Sequence, residues 1–224
     1  MEGFKSSSQS GIHVRLGPLQ EAFPQATFPL GVIHEFLATT REQGAATAGF
    51  MAGLLSFVLG TQGVCLWIST QRTLFPPALK RFGLAPERFI FIDVKQERHV
   101  WWATEEALPC GALAAVVAEV GEMPFTASRR LQLRAEQSKV TGFVLQGRVR
   151  KPGPTASASR WRVTSLPSIS EPGLPGIGFP CWQAELLKVR NGRPGAWPVQ
   201  WTPHGFQSVE PQPLPEAEYQ EKAG

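Results

Sequence analysis

Residues 32–37 (VIHEFL) form a short strand-like run that leads through residues 38–47 (ATTREQGAAT) into a helix-like stretch. A strand-to-helix turn that holds nucleotide phosphates carries G-x-x-x-x-G-K-[ST] at this place. The glycines let backbone N–H groups wrap the phosphate, the lysine neutralises it and the hydroxyl reaches Mg²⁺. Here Thr39, Thr40, Gly44 and Thr47 remain of that set, and no lysine stands among them. Two other catalytic parts are missing as well. The apolar run at 114–120 has Ala118 and Glu119 near its end, where an aspartate would hold the metal, which leaves Glu119 a poor substitute. The run at 64–69 is followed by Thr70, Gln71 and Arg72, with no carboxylate to polarise an attacking water. Without these three parts a transferring phosphoryl group has no electrostatic stabilisation, so we expect neither ATP hydrolysis nor a bound cofactor.

Cations supply the second candidate chemistry. The net charge of +4 conceals a gradient, because residues 129–193 hold twelve Lys/Arg against three Asp/Glu, a surplus of nine. Such a block steers an acidic partner or a polyanion without setting the fold. Arg129, Arg130 and Arg134 fall on one amphipathic helix expected over 125–139, opposite an apolar side of Leu131, Leu133 and Ala135. Guanidinium groups on a rigid helix suit bidentate contacts to carboxylates or phosphates. Arg148, Arg150 and Lys151 lie in a Gly/Pro-rich segment, 147–154, able to meet phosphates with its backbone exposed. That segment has no aromatic residue, so single-strand binding would need Trp161 to face the groove rather than the core.

Other reactive residues read as structural. His34 and Glu35 are adjacent in a strand and point to opposite faces. Trp101 and Trp102 are consecutive in a helix, which sends one ring to the core and the other to the surface. Ser128 has no base at a useful spacing. Cys65, Cys110 and Cys181 form no C-x-x-C pair and no zinc pattern, and read as buried thiols.

The elements that would position these residues alternate. Helices are expected at 44–60, 77–82, 96–108 and 125–139, and strands at 32–37, 64–69, 89–93, 114–120 and 141–146. The spacing of the strands implies right-handed β-α-β crossovers and a parallel sheet. Beyond it, residues 160–164, 184–190 and 197–201 read as strands, the last two joined through Asn191 and Gly192 in a tight hairpin, so the sheet ends antiparallel. A flexible arm over 1–19, one α/β domain over 20–203 and an acidic, Pro-rich tail over 204–224 complete the layout. At 224 residues with 42% hydrophobic content, one core is expected. No apolar run approaches the roughly 18 residues of a membrane span. The N-terminus lacks the features of a secretory signal, so a cytoplasmic protein is expected.

The pattern Pro29-x-Gly31-x-Ile33-x-Glu35, residues 131–146 and the stretch ELLKVRNG at 185–192 resemble the core of RecA across about residues 25–202. The stretches GVIHEFL at 31–37, ASRRLQL at 127–133 and LKVRNGRPG at 187–195 resemble more closely the ImuA family, RecA-like accessory proteins of bacterial error-prone repair. The resemblance implies a RecA-like three-layer α/β/α fold, with a mostly parallel sheet and antiparallel C-terminal strands. It implies a non-catalytic role in SOS-induced translesion synthesis and association with the nucleoid during DNA damage. The partners would be an inactive, ImuB-like Y-family polymerase homologue, an error-prone DNA polymerase III alpha-type subunit, RecA and single-stranded DNA. Gln146 matches the glutamine that senses the γ-phosphate in RecA, and Lys188 and Arg190 fall near cations that RecA sends to a neighbour's ATP. Residues 147–154 occupy the place of its mobile DNA-binding loop. Two other readings stand beside this one. The first is a DNA-binding RecA paralogue with residual ATP binding through Glu119, and the second is a cell-division inhibitor similar to SulA, which shares the reduced layout.

Overall fold

The computed structural model describes residues 16–72, 74–147, 149, 151–169 and 178–209. Three strands set its centre: β1 (Ile33–Leu37), β2 (Cys65–Ser69) and β5 (Thr141–Gln146) are buried at every position. Burial of both faces is the condition under which parallel strands form, because crossover helices cover the sheet on each side. With β3 (Phe89–Asp93), β4 (Ala115–Val120), β6 (Ser159–Ile169), β7 (Phe179–Val189), β8 (Gly195–Thr202) and β9 (Gly205–Ser208) they make one nine-stranded sheet. Its order is β3-β2-β4-β5-β1-β6-β7-β8-β9. The first six strands in that order run parallel, and β6 to β9 pair antiparallel.

Helix α1 (Arg41–Val58) covers one face, and α2 (Glu97–Ala107) and α3 (Phe125–Ser138) cover the other. The fold is therefore the three-layer α/β/α arrangement expected. Under α1 lies an aromatic core in which Phe50 packs on Trp161, Trp182 and Phe206, and Phe36 stacks on Phe143 and Trp161. Trp161 is completely buried there. Its ring belongs to the core, so the stacking platform that single-strand binding required of it is absent.

Several expected boundaries shift for local reasons. Helix α1 starts at Arg41 rather than 44, because Thr40 caps it: the Thr40 hydroxyl accepts from the Gln43 amide at 3.2 Å. At its far end Arg88 donates to the carbonyls of Leu59, Gly60 and Gly63 at 2.6–2.9 Å, satisfying acceptors that a helix C-terminus leaves open. Leu133 is half exposed, not part of the buried side of α3, and Cys110 is exposed rather than buried. The domain reaches past both expected limits. Leu16 and Leu19 are fully buried, and β9 extends the sheet through Ser208 where a tail was expected from 204. The 3-10 turn Gly17–Ala22 packs on β9, and a Cβ on Gly17, whose φ is +57°, would come within 2.2 Å of the Phe206 carbonyl. Among the described residues no helix is long and apolar enough to cross a membrane.

Candidate functional site

The carboxyl ends of β1, β4 and β5 meet at the place where an open parallel sheet holds ligands. Only residues 38–40 join β1 to α1. Their polar groups are largely spent on one another, since the Gln43 carboxamide oxygen accepts from both the backbone N–H and the hydroxyl of Thr39 at 2.9 and 2.6 Å. Together with the Thr40 cap this is a variant of the capping box. Gly44 lies inside the helix, and its N–H donates to the Thr40 carbonyl at 3.0 Å. Thr47, in the next turn, is fully buried, and its hydroxyl has no hydrogen-bond partner. Gly44, expected at the start of the helix, lies within its first turn because the threonine cap starts the helix at Arg41. Glu119 accepts from the Trp67 indole N–H at 2.6 Å.

The segment after β5 closes over this place. Ala38 N–H donates to the Gln146 carbonyl at 2.8 Å, and the Val149 N–H donates to the Ala38 carbonyl at 3.1 Å. Val149 is thereby buried against the turn. Nothing in the composition of 147–154 marked it out, because a single valine among Gly, Pro and cations carries no period. Further along, Thr155, Ser157 and Ala158 are buried, and the Ala156 N–H donates to the Ser128 hydroxyl at 3.0 Å. Within 147–154 Val149 is buried, whereas Gly153 and Pro154 are exposed. Lys151 is exposed; Arg148 and Arg150 lie outside the described residues.

Beneath the segment is a buried polar network. Glu35, inaccessible to solvent, is held by the Arg160 guanidinium at 2.9 Å and accepts a hydrogen bond from the Gln146 carboxamide. Gln146 in turn accepts from the Met123 N–H at 2.7 Å, so it ties β5 and β1 to the lead-in of α3. Parallel pairing sets Glu35 level with Arg160, and antiparallel pairing sets Arg160 level with Lys188. Lys188 donates to the Thr155 carbonyl at 2.5 Å. Burial and then the Arg160 and Arg190 charges hold its ammonium below the usual lysine range, against the pull of Glu35. Arg190 pairs with Glu136 of α3 at 2.5 Å, and that bond is the main reason the Glu136 carboxyl sits below its ordinary range. The structure thus brings Glu35, Gln146, Arg160 and Lys188 together, with the last two turned onto this chain's own backbone and carboxylates. On the opposite face of β1, His34 stacks on Phe28 with its ring nitrogens on the Ser159 hydroxyl and the Pro29 carbonyl. Burial lowers its pKa to about 4, which keeps it neutral.

The cationic helix stands apart from the network. Arg129 and Arg130 are exposed, Arg134 is half-buried, and Arg130 pairs with Glu105 of α2 at 2.7 Å. Among the described residues no cluster of three or more His, Cys, Asp or Glu side chains has the arrangement of a metal site.

No protein-family model matches the chain. Two curated relatives do, both bearing the name Protein ImuA and both from Caulobacter vibrioides, one from strain NA1000 / CB15N and one from strain ATCC 19089 / CIP 103742 / CB 15. Each is 35% identical over 204 residues, covering 84% of this chain and 84% of the relative. Identity at that level over most of both sequences, on the fold that the resemblance implied, shows that the chain belongs to the ImuA family.

Proposed function

We propose that the chain is a non-catalytic accessory protein of the ImuA/ImuB error-prone repair system that works as a scaffold in SOS-induced translesion synthesis. It binds an inactive, ImuB-like Y-family polymerase homologue and an error-prone DNA polymerase III alpha-type subunit, with RecA as a further partner. Kinship with ImuA supplies the biological setting. The observation that carries the non-catalytic part is the docking of Val149 on Ala38, together with the Gly44 amide spent inside α1. Phosphate recognition needs free, convergent N–H groups and a neutralising cation, and this three-residue connection holds no lysine and has its Ala38 and Thr39 N–H groups already paired. Protein contact is favoured over single-stranded DNA because Trp161 stacks in the core and residues 155–158 pack on α3 and β7.

Cells in which the gene is replaced by Thr47→Val or Glu119→Gln test the proposal. Both substitutions remove the groups that a metal-nucleotide site would use while preserving side-chain shape. Damage-induced mutagenesis at wild-type frequency is expected; loss of mutagenesis with the protein still folded would show that the strand-end chemistry is in use.

A further inference from the structure

We propose that the outer face of α2 and α3 is the docking surface for an acidic, amphipathic segment of a protein partner, a role that rests on the scaffold function proposed above. Trp102 is 67% exposed and Leu133 is 50% exposed, although large apolar side chains are ordinarily covered. Their position follows from helical geometry. Trp102 lies two residues from each of the buried Val100 and Thr104, and Leu133 two residues from each of the buried Leu131 and Ala135. Two residues turn about 200° around a helix, so both side chains project straight away from the sheet.

The two helices lie on the same face of the sheet and are bridged by the Glu105–Arg130 ion pair. Arg129 and Arg134 flank Leu133 in sequence and make no ion pair among the described residues. Trp and Arg are the side chains that most often carry the energy of a protein interface. The two unpaired guanidinium groups call for carboxylates on the partner, and Trp102 and Leu133 call for an apolar stripe between them. Nucleic acid fits less well. Glu106 is exposed one helical turn from Trp102, and Glu105 already occupies Arg130, so a backbone with a phosphate at every unit would set negative charge against them, whereas an amphipathic segment can keep its carboxylates on Arg129 and Arg134 and lay its apolar side on Trp102.

The test titrates the purified full chain and three variants, Trp102→Ala, Leu133→Ser and Arg129→Glu/Arg134→Glu, against the purified Y-family polymerase homologue and, separately, against a labelled oligothymidylate. Trp102, Leu133 and Arg129 are exposed and Arg134 is half-buried without an ion pair among the described residues, so melting temperatures close to wild type are expected. Each variant is expected to bind the polymerase homologue at least about tenfold more weakly, with the charge-reversed pair also flattening the salt dependence. Wild-type capture matched by all three variants overturns the surface and leaves the scaffold function standing. No capture by the wild-type chain overturns both. Loss confined to oligothymidylate binding makes the platform a nucleic-acid site and also overturns the assignment.

Discussion

Protonating His34 should unlock the centre of the sheet, and the cost can be worked out. The ring is fully buried between Phe28 and Phe143, on a strand whose five residues are all buried, and its contacts suit the neutral imidazole. In the unfolded chain it takes a proton near pH 6.5; in the fold its pKa is about 4. Between those values the unfolded state binds more protons, so stability falls as pH falls. The gap is worth about 3 kcal/mol in total, of which about 2 kcal/mol is lost by pH 5. Chemical denaturation at pH 7 and pH 5 measures it, with His34→Gln as the reference because carboxylates such as Glu136 titrate in both proteins. Wild type should lose about 2 kcal/mol more than the variant over that interval. Equal losses in the two proteins would refute the burial argument.

The Glu35–Arg160 pair predicts a non-additive cycle. Arg160→Met leaves a buried carboxylate without its cation and should cost about 3–5 kcal/mol, whereas Glu35→Gln/Arg160→Met should recover much of that, read by urea unfolding. Arg88→Ala strips the carbonyls at the end of α1 and should lower stability by about 2 kcal/mol, with no effect on binding to the polymerase homologue. Thr47→Val removes a hydroxyl that has no partner, so the melting temperature should hold or rise. Gly17→Ala should lower it, since both the positive φ and the Phe206 carbonyl oppose a Cβ.

What the sequence disclosed depended on period and range. The strand-like runs of β1, β2 and β5 and the cations of α3 are local patterns, and they lie where they were expected. Asn191 was visible as a turn residue and has the positive φ that such a turn uses. The failures at the site are contacts between distant segments. Val149 reaching Ala38, Lys188 reaching Thr155 and Gln146 linking Glu35 to Met123 join residues brought together only by strand order. β9 was missed because four residues next to prolines show too little alternation, although the burial of Phe206 holds the strand in place. Trp161 alternated as a strand residue should, but alternation does not say which face of a sheet receives the aromatic core.

The most direct test of a nucleotide-independent scaffold is complex formation between the purified chain and the Y-family polymerase homologue, measured by light scattering after gel filtration with and without ATP and Mg²⁺. A stable complex of the same mass and affinity in both conditions is the predicted result. A complex that forms only with ATP and Mg²⁺, or no complex in either condition, would contradict it.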